Sequence, residues 1–142
     1  VNLAVSLHAA TDAVRDELVP LNRRFPLAVL MDALRSLETV TARRPVFFEY
    51  TLIEGVNDAP ADARQLARLV RGVPAKFNLI PMNAHPDSRY RPPSEAVLTR
   101  FAGDLVRLGF TVTVRRPRGA DIDAACGQLA GRGAQPALAS RA

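Results

Sequence analysis

The chain contains one cysteine, Cys126, no tryptophan, and one lysine, Lys76, among its 19 basic residues. A lone thiol cannot close an intramolecular disulfide or share a metal with a second thiol, so neither a disulfide scaffold nor a thiolate zinc site is possible. The two histidines, His8 and His85, do not stand in metal-ligand spacing, and no zinc pattern is present. No glycine-rich loop resembles those that cradle nucleotide phosphates. No apolar run approaches the roughly 20 residues that span a bilayer, so no membrane association is expected. No signal-peptide pattern opens the sequence, and a reducing, cytoplasmic setting is the expectation.

The 142 residues are 48 % hydrophobic and 23 % charged, a globular composition long enough for one domain with a core. The net charge of +5 suits a polyanion such as RNA. Because nearly all of the basic residues are arginine, GC-rich coding accounts for the skew equally well, and charge alone decides little. The first residue, Val1, stands inside a strand pattern without a preceding methionine, so the sequence is expected to be part of a longer protein.

Apolar periodicity predicts alternating strands and helices. A buried strand is expected over 1–7. A short helix capped by Thr11 or Asp12 should follow, ending at Leu18 before Pro20. Pro26 suits a first helical residue, and Leu27, Leu30, Met31, Leu34 and Leu37 share one helical face, extending to about Thr41. A second strand covers 45–53, followed by a turn in which Asp58 could cap the next helix, whose stripe is Ala63, Leu66, Ala67 and Val70. A third strand covers 76–80, and residues 81–93 form a long polar loop of the kind that often carries function. Ser94 caps a helix through Leu108, Gly109 ends it, and residues 110–115 make a fourth strand. A short helix is expected over 121–129, with a flexible tail over 131–142. Alternation of this kind predicts an α/β fold with about four parallel strands, and places domain residues at 1–130.

Ligands of such sheets bind beyond the carboxyl ends of the strands, and the unusual residues fall there. Ser6 and His8 close the first strand. Glu54, Asn57 and Asp58 follow the second, Asn83 and His85 the third, and Arg116, Arg118, Asp121 and Cys126 the fourth. Each has a plain alternative. Asn57 and Asp58 serve equally as turn and cap residues, His8 as a structural donor, and Cys126 as inert packing. Around Cys126, small neighbours and Arg115, Arg116 and Arg118 favour a reactive thiolate, whereas Asp121 and Asp123 oppose it.

Four segments occur in an informative order: residues 4–9 (AVSLHA), 56–58 (VND), 78–83 (NLIPMN) and 118–131 (RGADIDAACGQLAG). Together they resemble the radical-SAM ribosomal-RNA adenine-C2 methyltransferases, and the last segment is the most specific. The resemblance implies the C-terminal half of a partial (β/α) barrel. It implies a [4Fe-4S] cluster and S-adenosylmethionine (SAM) as cofactors, with an electron donor for the cluster. The thiol matching Cys126 receives a methyl group from one SAM. A radical generated from a second SAM then activates that methyl for addition to C2 of an adenine in 23S rRNA, and in some members also in tRNA. Ser6, Leu7, His8 and Asn83 match SAM-contacting positions, and Arg115, Arg116 and Arg118 would meet RNA phosphates. The full-length protein is expected to be a monomer.

The family's CxxxCxxC cluster motif and its second cysteine are absent from these 142 residues. The cluster is therefore expected to be held by a missing N-terminal part, and the isolated chain is expected to be inactive. Two other readings are a thiol enzyme with Cys126 as nucleophile and His8 as base, and a non-catalytic RNA-binding fragment. A half barrel also leaves sheet edges and one sheet face uncovered, which promotes association.

Overall fold

In the computed structural model, residues 2–116 are described. They form β1 (Ala4–Ser6), α1 (Asp12–Leu18), a 3-10 turn (Pro20–Arg23), α2 (Leu27–Arg35), β2 (Val46–Leu52), α3 (Pro60–Leu69), β3 (Ala75–Pro81), α4 (Glu95–Arg107) and β4 (Thr111–Val114). The strands lie in the order β1-β2-β3-β4, and every adjacent pair is parallel. This is the α/β alternation that the sequence predicts. Arg118, Cys126, the helix expected over 121–129 and the tail over 131–142 lie outside the described residues.

The core sits on one face of the sheet. Alternate residues of β2 (Val46, Phe48, Tyr50, Leu52) and β3 (Phe77, Leu79) pack against helical residues spaced three or four apart, including Met31, Leu66, Leu98, Phe101 and Leu105. Phe48 stacks on Phe77 with centroids 5.8 Å apart, and Tyr50 on Phe101 at 5.4 Å. Burying each such side chain contributes about 1.5–3 kcal/mol. Phe47, Glu49, Lys76, Asn78 and Thr113 have the opposite parity, and none of them joins this cluster.

The expected caps form at two helices. Val14 N donates to Thr11 Oγ1 at α1, and Val97 N donates to Ser94 Oγ at α4. Gly109 ends the last helix with a φ of +101°, a conformation that favours glycine.

Elsewhere local chemistry shifts the expected boundaries. α2 stops at Arg35 rather than near Thr41, because the Ser36 hydroxyl donates to Ala33 O and Leu37 finds no core partner, remaining 42 % exposed. Pro26 is the residue before that helix, not its first, and Asp12 of α1 accepts from Leu27 N at 2.9 Å in place of a local cap. At α3 the cap position is Ala59, whose N donates to Asp62 Oδ2, while Asp58 instead accepts from Gly55 N and closes the preceding turn. β1 is also shorter and more exposed than predicted. As an edge strand it has one neighbour, and its Ala4 and Ser6 lie on the face away from the core.

Candidate functional site at the strand carboxyl ends

The end of β1 leaves the sheet by an exchange of partners. Phe47 N donates to Leu3 O, and Leu7 N to Glu49 O, as a parallel ladder requires. Continuing the ladder would pair Thr51 N with Leu7 O. Instead Thr51 N donates to His8 Nδ1 at 2.9 Å, and Leu7 O accepts from Arg15 Nε at 2.9 Å. His8 adopts a φ of +61°, uncommon for a residue with a Cβ, and this turns the chain out of the strand.

Asn57 holds the turn from the other side. Its Nδ2 donates to His8 O and to Thr51 O, both at 2.8 Å, and its Oδ1 accepts from Ile53 N at 2.8 Å. Tyr50 Oη donates to Asn57 O at 2.7 Å. Of the roles open to Asn57 in the sequence, the structural one is realised: it joins the ends of β1 and β2.

The bond from Thr51 fixes the tautomer of His8. An amide N–H only donates, so Nδ1 carries no proton and Nε2–H is the ring's donor. Burial, aided by the nearby Arg15 charge, pushes the His8 pKa from 6.5 down to about 4. The unfolded chain therefore binds a proton before the folded one as pH falls. The stability from neutral His8 is complete above pH 6.5 and is lost as pH falls towards 4, by up to about 3 kcal/mol. Urea titrations across this range should show that extra acid loss in the parent and not in His8→Asn, asparagine being tolerant of positive φ. Identical acid limbs in both proteins would contradict the assignment.

A polar row crosses the face opposite the core. Ser6, Glu49, Asn78 and Thr113 are successive register partners on the four strands. Ser6 Oγ donates to Glu49 Oε1 at 3.3 Å. Arg115, just beyond β4, places Nη1 3.6 Å from Glu49 Oε2, and the two side chains are only 11 % and 13 % exposed. With its amide oriented to donate to Thr113 Oγ1, Asn78 presents its oxygen to Arg115 Nη1 at 3.0 Å. The Arg115 Nε is buried without a partner in the described structure.

Arg115 and Arg116 thus occupy different settings. Arg115 points onto the sheet face and is paired there. Arg116 lies at the surface in a two-pronged pair with Glu95, at 2.6 and 2.8 Å. Glu95 is held below its usual carboxylate range by that hydrogen bond. Asn83 and His85 lie in the loop after β3, where His85 Nδ1 accepts from Asp87 N in a local turn. The far end of this loop returns to β2, with Glu54 N donating to Arg91 O at 2.9 Å. The structure therefore brings Ser6, Leu7, His8 and Asn57 together at one strand exit and sets Asn83, Arg115 and Arg116 at neighbouring strand ends.

Two parts of the arrangement escaped the sequence reading. Glu49 in mid-strand was a charge in an otherwise apolar run, which is a usable signal. Arg15 gave none, since an arginine on a short polar helix reads as solvated.

No family model matches the chain. Curated relatives do. The chain is 54 % identical over 129 residues to the dual-specificity RNA methyltransferase RlmN of Rhodospirillum rubrum, covering 91 % of this chain and 30 % of that protein. It is 53 % identical over 133 residues to the RlmN of an Anaeromyxobacter species, covering 94 % of this chain and 35 % of that protein. A solved radical SAM methyltransferase from Sphaerobacter thermophilus superposes with a TM-score of 0.78 at 48 % identity, over 90 % of this chain and 37 % of that one.

The chain is a relative of the radical SAM methyltransferases.

It spans about a third of the length of the curated relatives it matches. A domain of a pyruvate-formate lyase-activating enzyme from Bacteroides vulgatus shares the fold more distantly, with a TM-score of 0.59 at 22 % identity. A radical SAM protein implies an iron-sulfur cluster and SAM. The cluster does not fit the residues present: one cysteine cannot supply three thiolates. Among the described residues, no group of three or more histidine, cysteine, aspartate or glutamate side chains could hold a metal. A polar ligand such as SAM is compatible with the strand exit, where the Ser6 hydroxyl is oriented by Glu49 and the His8 ring by Thr51 N. Among the described residues, no helix is long and apolar enough to cross a membrane.

Proposed function

We propose that this chain is the carboxyl-side portion, residues 1–130 with a tail over 131–142, of an enzyme that methylates C2 of adenine in 23S rRNA, and in tRNA as well. The observation that carries the proposal is the identity of about one half, over nine-tenths of the chain, to the dual-specificity RNA methyltransferases. In this reading Ser6, Leu7, His8 and Asn83 contact SAM, which supplies the methyl group when bound. The [4Fe-4S] cluster and the electron donor that serves it involve protein outside these residues. The whole enzyme works as a cytoplasmic monomer, and the 142 residues alone neither hold a cluster nor methylate RNA.

Cys126 is the residue on which the one-carbon unit rests. C2 of adenine is electron-poor and does not attack the methyl group of SAM as a nucleophile would. A thiolate does: the S–CH3 bond forms as the sulfonium C–S bond breaks and S-adenosylhomocysteine leaves. That S-methyl group is the carbon destined for the base, for which a radical derived from a second SAM would supply the activation. Neutral His8 binds without bringing a second positive charge next to the sulfonium of SAM. Arg118 suits contacts to phosphates, which position RNA rather than specify sequence, and Arg116, at the surface, would exchange its pair with Glu95 for such a contact. Arg115 shares the basic run, but its pairing with Glu49 favours a role in shaping the open sheet face. The target adenine must leave its stack to reach the thiol.

The rival thiol enzyme needs His8 as a general base. A ring whose Nδ1 already accepts a backbone amide, and whose pKa lies at about 4, is poorly suited to take a proton near neutrality. Peptide mass spectrometry of the protein isolated from its own cells separates the two. One methyl group on Cys126 is expected; an acyl adduct derived from a substrate would support the rival.

A further inference from the structure

We propose that Arg15 is the positioning residue of the SAM site, acting through the backbone of Ser6, Leu7 and His8. The proposal rests on the reading that this segment contacts SAM. Arg15 Nη2 donates to Ser6 O at 3.0 Å and Nε to Leu7 O at 2.9 Å. One planar guanidinium thus holds two successive carbonyls at the point where β1 leaves the sheet. The next carbonyl, His8 O, is held by Asn57. The backbone of the whole segment is fixed from two directions, and the Ser6 and His8 side chains are left at defined angles.

The way Arg15 is itself held supports a positioning role. It is buried, and its third donor, Nη1, goes to Asn22 Oδ1 at 2.9 Å. The buried Asn22 amide donates to Asp12 Oδ1 at 3.0 Å and Asp16 Oδ1 at 2.7 Å. The two carboxylates therefore balance the guanidinium through Asn22, without either capturing the fork. Burial pushes the Arg15 pKa down and the Asp12 charge opposes this. A direct carboxylate pair would turn the fork away from the carbonyls. A lysine has no fork, and its single nitrogen cannot span both carbonyls and Asn22 in this geometry.

The full-length enzyme tests this through its dependence on SAM. Charge-assisted hydrogen bonds of this kind are worth enough for Arg15→Lys to raise the Kd for SAM, read by equilibrium binding, and the KM for SAM about tenfold or more, with kcat within about threefold of the parent. A lower melting temperature with an unchanged KM for SAM would make Arg15 merely structural and overturn the proposal. Should Arg15→Lys fail to fold, Asn22→Ser decides: it keeps the guanidinium and loosens its seat, so a raised KM for SAM supports the proposal and an unchanged one overturns it. Ser6→Ala separates this inference from the reading beneath it. If Ser6→Ala raises the KM and the Arg15 and Asn22 variants do not, the SAM site stands and the positioning role fails. If none of these variants moves the KM, both fail.

Discussion

Asn57→Ala is expected to lower the free energy of unfolding by roughly 3–6 kcal/mol. The side chain is 1 % exposed and makes three hydrogen bonds to main-chain groups at the ends of β1 and β2. Alanine leaves the Ile53 N–H and the carbonyls of His8 and Thr51 without those partners at a position shielded from solvent. Each such group costs about 1–3 kcal/mol when stranded. Against a total of about 5–15 kcal/mol for a typical domain, the loss would leave little or no stable fold. Asn57→Asp should be no better, since a carboxylate would face two carbonyl oxygens. Asp58→Ala, one residue on, removes an exposed turn bond and should cost much less. Urea unfolding of the three variants checks the order. A loss under about 1 kcal/mol for Asn57→Ala would mean that water or backbone shifts replace its bonds.

The parallel architecture was legible because each strand is a short apolar run and each helix carries a stripe, with Thr11 and Ser94 marking two of the starts. What stayed hidden depends on register. Ser6, Glu49, Asn78 and Thr113 become neighbours only when four strands align, and a single sequence does not contain that alignment. Asn57 looked like an ordinary turn residue because its partners lie at the ends of β1 and β2, including His8, 49 positions away. Arg15 was silent for the same reason: two of its partners are main-chain carbonyls of Ser6 and Leu7, which leave no trace in composition, and the third, Asn22, meets it only in the fold. The early end of α2 turned on the Ser36 hydroxyl, a local competition that the apolar stripe through Leu37 outweighed on paper. Cys126 was legible only through its surrounding motif, and it lies outside the described residues.

Cys126→Ala should reduce adenine-C2 methylation by the full-length enzyme at least about a thousandfold. The expected size follows from the role. A residue that carries the transferred carbon has no substitute in the site, whereas one that only fills space is replaced by alanine at modest cost. Cys126→Ser should be nearly as inactive, because a hydroxyl is almost wholly protonated at neutral pH where a thiol is appreciably ionised. Both variants should keep the parent's KM or affinity for SAM, because the proposed SAM contacts lie at Ser6, Leu7, His8 and Asn83.

The most direct test is nucleoside mass spectrometry of 23S rRNA and tRNA from cells lacking the gene, complemented with the full-length enzyme or with its Cys126→Ala variant. 2-Methyladenosine is expected to be restored by the full-length enzyme and absent with the variant. Equal 2-methyladenosine in both complemented strains would contradict this expectation.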